Sequence, residues 1–572
     1  MKKRTLLTCG LAAALFAGCS SDDKLTVDDG TVPNGGSGYL ALNVSLPTTS
    51  NAPRAIGAGD QSNDQYNQGA SSEYKVQTID LICFTDAVDP ATVQAFHYDA
   101  TELSWSTPPA SANGITTDAV LQVEPVKNTV KKVLVLVNAP SSFSINAETG
   151  VLTYTKTPTG GGSPTLYTCD TYSDFKALEL NEELFTSDKF FMCNAPLSKG
   201  GGDVTDLVSI QPKETMAEAM SDMRVVNVER AAGKVSMAHA NSGNWNNWEY
   251  TIPGTVPGYA GDKVTFENWV LNLTNKESYA IRHYNSSWEG LTETTGGQRF
   301  YGALTYTGNE KAAYGRTYWA EDVNYDSYDA ADFNKITLTS EVNKGIDVAL
   351  YCNENTFNVA HMKQQETTGA ILKAKYKPAG KTIESDGNWY RLGNSNTAYV
   401  LSEINAKIAA ISGCSGVTVN DDALEEGVNT IEEGIFNNLS DNAATKAQQV
   451  ADIKSTLGKI TVFKGCYCYY AVRIQHFGSF YTPWGDEPGA PTIEATKFYD
   501  YTAGGTTYDN KYLGRYGVVR NNWYELELST ISAPGEPTVP DPSTKADDQL
   551  NYYIQANVKI MNWAVRKQSV NL

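Results

Sequence analysis

The chain has few of the residues on which catalysis and metal binding depend. It contains no HExxH motif, no G-x-S-x-G turn, no P-loop and no dinucleotide-binding glycine motif after a strand. No two of its histidines have the spacing of a zinc site; they are His97, His239, His283, His361 and His476. We therefore predict no catalytic residue, no metal site and no cofactor, in a protein that is not an enzyme.

Positive charge is also scarce. Among 572 residues, Asp and Glu outnumber Lys and Arg by 65 to 45, which gives a net charge of −20. A surface of that sign repels nucleic-acid phosphates, so nucleic-acid binding is excluded. Asp322, Asn324 and Asp326 resemble the opening of a calcium loop, but its glycine and closing glutamate are absent. We interpret them as a solvated acidic loop, with a calcium site as the alternative.

A disulfide framework is not indicated either. Of nine cysteines, two lie within the first 19 residues, and the other seven are an odd number at irregular spacing. Cys466 and Cys468 would point to one face of a predicted strand, which makes a bond between them difficult. We expect most of these side chains to be buried as small apolar groups.

The N-terminus has the features of a targeting segment. Basic residues 2–4 precede an apolar run at 6–16, whose 11 residues are too few for a membrane-spanning helix. The small residues that follow lead to Cys19, and this order resembles a bacterial lipobox, in which the cysteine is lipidated and becomes the N-terminus. The acidic residues just after it resemble the signal that sends Bacteroidetes lipoproteins to the outer face. No other segment is apolar enough to cross a membrane, so we predict a signal peptide at 1–18 and a palmitoylated lipoprotein of the outer membrane.

The rest of the composition suits strands and turns. Tyr (33) and Gly (47) are plentiful, and charged residues make up 19% of the chain. Many short apolar runs separated by Gly- or Pro-rich loops predict a mostly β protein built of β-sandwiches. A few helices are expected near residues 173–185, 212–223, 402–411 and 441–457.

Two segments alternate apolar and polar residues with the period of a half-buried strand. The first, 39–46, places on one face Leu40, Leu42, Val44 and Leu46. It is followed by a polar loop with one basic residue, Arg54. The second segment follows an extended Pro-rich linker at 533–548, and its apolar side chains are Ile554, Ala556, Val558, Ile560, Trp563 and Val565.

Six blocks, in order along the chain, resemble the shaft subunits of Bacteroidales type V pili, and most closely those of the short (minor) fimbriae. They are KKVLVLVNAP (131–140), VERAAGKV (228–235), YCNENT (351–356), WYRLGNSNTAYVL (389–401), KGCYCYYAV (464–472) and VVRNNWYELEL (518–528). The resemblance implies two transthyretin-like β-sandwich domains with elaborated loops. We expect them at residues 55–255 and 256–532, before a linker and donor strand at 533–572.

The resemblance also implies a route of assembly. An Arg-specific protease would cut after Arg54, so that the lipidated propeptide 19–54 leaves with its strand and Ala55 becomes the N-terminus. The C-terminal strand of another copy would then fill the vacated groove and build an extracellular fimbrium for cell adhesion. Its implied partners are further copies of the chain in a head-to-tail polymer, anchor and tip pilus subunits, and the protease. The alternatives are a tip or accessory adhesin of the same pilus and a surface glycan-binding lipoprotein.

Overall fold

The structure is a computed structural model. It describes residues 37–45, 69–102, 104–105, 119–158, 162–181, 184–186, 188–198, 202–290, 300, 315–383, 387–477, 512–547 and 554–562. Within these ranges the chain is mostly β, which confirms the predicted fold class.

The first half of the described chain contains strands β1 Ser37–Ser45, β2 Thr78–Phe84, β3 Thr92–Asp99, β4 Ser104–Trp105, β5 Ala119–Lys127, β6 Lys132–Val137, β7 Phe143–Ile145, β8 Leu152–Lys156, β9 Thr165–Cys169, β10 Glu179–Leu180, β11 Met192–Asn194, β12 Leu197–Ser198, β13 Val204–Thr205, β14 Val208–Ser209, β15 Arg224–Arg230, β16 Gly233–His239, β17 Trp245–Asn246, β18 Glu249–Thr251, β19 Lys263–Asn272, β20 Thr274–Asn275 and β21 Ser278–Tyr279.

The second half contains β22 Gly315–Arg316, β23 Phe333–Asn334, β24 Lys344–Gly345, β25 Leu350–Cys352, β26 Gly369–Lys377, β27 Trp389–Leu392, β28 Thr418–Val419, β29 Gly427–Thr430, β30 Phe436–Asn437, β31 Lys459–Phe463, β32 Tyr467–Arg473, β33 Asn522–Ile531 and β34 Ile554–Asn562. The α-helices of the described residues are α1 Tyr172–Lys176, α2 Met216–Ser221, α3 Leu401–Ala409 and α4 Ala443–Leu457, close to the expected positions.

The N-terminal sheet has the strand order β3-β2-β6-β11-β15-β1-β5-β4. It curls so that β5 approaches β3, and Lys127 at the end of β5 donates from its backbone N–H to the Gln94 side chain at 3.2 Å and from Nζ to the Val93 carbonyl at 2.9 Å. The enclosed space holds one apolar cluster, so the sheet forms a sandwich with itself.

Strands β2 and β6 are buried on both faces, which explains their nearly continuous apolar sequences. Alternate residues of β6 belong to two different clusters. Val133, Val135 and Val137 face the core of the sandwich, whereas Leu134 and Leu136 face a second cluster under α1 and the β7-β8-β9 sheet.

The C-terminal part is a second sandwich. One sheet has the order β25-β16-β33-β34, and the other has the order β17-β18-β19-β26-β32. A single cluster joins them, because Leu526 and Leu528 of β33 pack together with Phe266 and Trp269 of β19 and with Leu372 of β26. Two β-sandwich units are what the resemblance implies.

An insertion between β26 and β32 carries α3 and α4 with its own core. Helix α4 begins after Asn442, whose side chain accepts from the Thr445 N–H at 3.1 Å, and it ends at Gly458, which has a φ of 74°. Its residues Ile453 and Leu457, one turn apart, are buried against the β27-β31-β29 sheet.

The sequence patterns of residues 225–237, 335–342 and 397–401 each predict a single strand, and these three predictions are wrong. Residues 335–342 and 397–401 are not strands, since the first contains a turn of 3-10 helix at Thr339–Glu341 and the second leads into α3. Residues 225–237 form two strands, β15 and β16, that belong to different sheets. The chain therefore passes between sheets at Ala231 and Ala232, and the domain boundary near residue 255 stays a prediction.

The seven cysteines that follow Cys19 are all free and buried, as expected from the sequence. Burial raises the pKa of the Cys83, Cys193 and Cys352 thiols to about 12. A thiol of that pKa in a closed core has almost no reactive thiolate at neutral pH.

We therefore predict that Ellman's reagent at pH 8 modifies none of these seven thiols in the folded protein. All seven should react once the protein is unfolded in guanidinium chloride. Fast modification of a cysteine under native conditions would contradict the burial of that residue.

Candidate assembly site

Strand β1 lies in the interior of the N-terminal sheet. It pairs antiparallel with β5 along residues 37–44 and parallel with β15 along 42–45. Leu40, Leu42 and Val44 point into the core and are at most 4% exposed, so the predicted apolar face is buried. Leu46, which completes that face in the sequence, lies outside the described residues.

The surroundings of β1 fit it closely. Tyr39 and Lys213 exchange two backbone hydrogen bonds of 2.8 and 2.9 Å. A Cβ on Gly38 would lie 2.6 Å from the Lys213 carbonyl oxygen, so this close approach requires glycine. Helix α2 lies beside β1, and Ala41, on the face opposite the core, is only 2% exposed.

Removal of β1 would open the sheet. Beyond β1, the described partner of β5 within the sheet is the two-residue strand β4, so β5 would lose its connection to β15. The groove would expose Val226 and Val228 of β15. Burial of the three apolar side chains of β1 is worth roughly 5–9 kcal/mol at about 1.5–3 kcal/mol each, so an empty groove strongly favours a replacement strand.

Several predicted processing residues cannot be placed. Cys19, Arg54 and Ala55 lie outside the described residues, and the described chain resumes at Gly69. Arg54 is nevertheless the one basic residue of the sequence between Lys24 and Lys75.

The chain that follows the loop is anchored independently of β1. Glu73 is 1% exposed, and its carboxylate accepts from Lys234 Nζ at 2.7 Å and from the Tyr351 hydroxyl. Its carbonyl accepts from Arg230 Nε at 2.6 Å. Burial and the neighbouring carboxylate raise the pKa of Tyr351, which keeps its hydroxyl proton for this hydrogen bond. Burial lowers the pKa of Lys234, and Glu73 partly offsets that effect.

Two further buried ion pairs lie where the chain passes between sheets. Arg282 donates to both oxygens of Glu229 at 2.8 and 3.0 Å, and Arg520 Nε donates to Glu354 at 3.1 Å. All four side chains are at most 1% exposed. Sequence reasoning missed these pairs. A usable signal was present, because three of these residues are charged positions inside apolar blocks of the fimbrial resemblance.

The C-terminal strand β34 pairs antiparallel with β33 along its whole length. Its predicted apolar residues stand directly opposite buried residues of β33. The pairs are Ile554 with Ile531, Ala556 with Leu528, Val558 with Leu526, and Ile560 with Tyr524. Trp563 and Val565 lie outside the described residues.

The acidic segment at 322–326 is only partly solvated, because Asp322 and Asn324 are buried whereas Asp326 is exposed. Asp322 is 4% exposed, and its carboxylate accepts from the Thr356 N–H at 2.8 Å, the Asn324 N–H at 2.9 Å and Asn275 Nδ2 at 2.6 Å. Burial raises the pKa of Asp322 to about 8. Across the described ranges, no group of His, Cys, Asp and Glu side chains is arranged to hold a metal ion.

Comparison with protein families identifies the C-terminal segment. Residues 494–569, which include β33 and β34, match the family described as "Major fimbrial subunit protein type IV, Fimbrillin, C-terminal". In this segment the chain is similar to that family. This match confirms the resemblance to Bacteroidales fimbrial subunits and supports a role as a pilus subunit on the cell surface. No curated protein matches the chain.

Three solved structures are similar to the chain. A candidate cell adhesion protein from Parabacteroides distasonis is 11% identical, with 93% of this chain and 99% of that chain covered and a TM-score of 0.37. A fimbrilin from Porphyromonas gingivalis is 13% identical, with 92% and 99% covered and a TM-score of 0.34. The tip fimbrial protein of the same species, truncated at its C-terminus, is 9% identical, with 92% and 100% covered and a TM-score of 0.32. Likenesses with TM-scores this low carry no argument about the fimbrillin region or its function.

No helix within the described ranges is both long and apolar enough to span a membrane.

The buried pair of Glu73 and Lys234 gives a stability prediction. Lys234→Met should lower the free energy of unfolding by about 3–5 kcal/mol, because it removes the lysine cation that binds the buried Glu73 carboxylate. Lys446→Met is the control, since its partner Glu433 has an exposed side chain, and such surface pairs contribute up to about 1 kcal/mol. Urea denaturation measures both. Equal losses would contradict a special role for the buried pair.

Proposed function

We propose that the chain is a shaft subunit of a surface pilus that polymerises by strand exchange. In the precursor, β1 fills a groove in the N-terminal sheet. Cleavage after Arg54 releases β1, and the C-terminal strand of a neighbouring copy takes its place. The observation that carries the proposal is the interior position of β1, because its departure leaves two open strand edges and an apolar slot that accept another strand.

The C-terminal strand is suited to that groove. It has the same period-two apolar face as β1, and it lies at the edge of its sheet, paired with β33 in the part of the chain that the structure describes. When an edge strand leaves its sheet, it breaks hydrogen bonds to one neighbouring strand. When it enters an interior position, it forms hydrogen bonds to two. A head-to-tail contact of this kind does not close on itself and so produces a filament.

Export as a lipoprotein accounts for the N-terminus of the precursor. Lipidation at Cys19 would hold the uncut chain at the outer membrane, and the same cut would release the subunit from its lipid and open its groove. The presence of β34 favours a shaft subunit over a tip subunit, because a terminal subunit needs no donor strand.

Arg54→Ala should leave the precursor monomeric and attached to the membrane. N-terminal sequencing of wild-type fibres sheared from cells should read from Ala55. Lys75→Ala is the control, because Lys75 is the first basic residue after the loop, and that variant should assemble normally. Fibres that begin at lipidated Cys19 would overturn the cleavage step.

Val558→Asp should abolish polymerisation, because it places a carboxylate on the dry face of the strand. The uncut precursor should remain folded, since β1 still occupies its own groove. Asn557→Asp changes the adjacent residue, which stands opposite Glu527, and should be tolerated far better. Ladders of cleaved protein on mild-detergent gels measure assembly. Equal assembly by the two variants would show that this strand is not the donor or faces the other way.

A further inference from the structure

The Pro-rich segment before β34 is bound to its own subunit along its length. Near its start, Glu536 and Tyr469 exchange two backbone hydrogen bonds of 2.9 and 2.8 Å, and the Tyr470 hydroxyl donates to the Ala533 carbonyl at 3.1 Å. A Cβ on Gly535 would lie 2.3 Å from the Tyr469 carbonyl oxygen. The segment therefore runs against β32 so closely that only glycine fits there.

A second attachment holds its end. The N–H of Gln364 donates to the Lys545 carbonyl at 2.9 Å, and the N–H of Asp547 donates to the Met362 carbonyl at 3.2 Å. The side-chain oxygen of Gln364 also accepts from the Ser543 hydroxyl at 2.9 Å. The sequence predicts an extended linker here, but the structure shows a docked segment.

The end of the segment is also buried. Asp547 is fully buried, and Ala546, which is 4% exposed, packs in an apolar cluster with Met362, Tyr512 and Tyr516. To detach this segment would expose that cluster and leave buried backbone groups without partners. To detach β34 opens one edge of one sheet. The two parts of the C-terminal region therefore differ in how readily they leave the subunit.

We propose that residues 533–547 stay docked on their own subunit in the fibre, so that the donor arm begins at residue 548 with Asp547 as its anchor. The inference rests on the proposed strand exchange and adds its geometry. Six residues, 548–553, separate the anchor from β34, and a chain of that length spans about 20 Å when fully extended. The groove of the neighbouring copy must then begin within that distance of Asp547, which sets an upper limit on the separation of the two.

Two engineered disulfides test the anchor. Lys363 and Ala546 form an antiparallel pair flanked by the Gln364 and Asp547 hydrogen bonds, a position in which the Cα atoms are about 4.5 Å apart and suit a disulfide. Lys363→Cys with Ala546→Cys would lock the anchor. Glu527→Cys with Asn557→Cys, also a directly opposed pair, would lock β34 to β33. The native thiols are buried, so mild oxidation acts on the introduced pairs.

Purified precursor of each variant is oxidised, cleaved with an Arg-specific protease and compared with its reduced form on mild-detergent gels. We expect the anchor lock to leave the polymer ladder unchanged, and the β34 lock to abolish the ladder until reductant restores it. If both disulfides abolish the polymer ladder, the proposal that residues 533–547 stay docked is wrong, whereas the proposal of strand exchange is still supported. An unchanged ladder under the β34 lock would overturn strand exchange by β34, and the anchor with it.

Discussion

Backbone hydrogen bonding on both edges of β1 is the constraint on which the N-terminal sandwich depends. A strand interior to a sheet supplies donors and acceptors to two neighbours, and neither neighbour can bury its edge without it. Here β1 joins β15 to β5, and its apolar face completes the core. The same strand lies at the start of the described chain and is followed in the sequence by a polar segment. One cut in that segment would remove the covalent link between β1 and the sandwich that it stabilises.

The buried charged residues around Glu73 hold the chain that follows such a cut in place. Arg230 reaches the carbonyl of Glu73 across 157 residues of sequence, and Lys234 binds the carboxylate of the same residue. Both lie close to the point where the chain passes between sheets, and neither contact involves β1. In low-dielectric surroundings, loss of one partner leaves the other charge buried and uncompensated. These contacts are therefore expected to break cooperatively. They thereby connect the two sandwiches independently of β1.

Local pattern was enough to predict two strands of the proposed assembly. The alternation of Leu40, Leu42 and Val44 identified the buried face of β1, and the apolar alternation at 554–560 falls within the strand β34. Contacts between distant segments were not predictable in this way. The sequence around Asp322 predicts a solvated loop, but in the fold its carboxylate is bound by Thr356 and Asn275. The Pro-rich segment likewise predicts a free linker, but in the fold Ser543 binds Gln364. Periodicity indicates which face of an element is buried, but it does not indicate which distant segment packs against that face.

The direction of the proposed exchange follows from the difference between an edge and an interior position. On its own subunit β34 pairs with β33 at the edge of the described sheet, and β33 packs in the core between the two C-terminal sheets. In the N-terminal groove the same strand would gain a second hydrogen-bonded neighbour and close a core that is otherwise open. The second ladder of hydrogen bonds and the closed groove would provide the excess free energy for the exchange. While β1 is present that excess is absent, and a docked β34 with an occupied groove is the stable arrangement of the uncut chain.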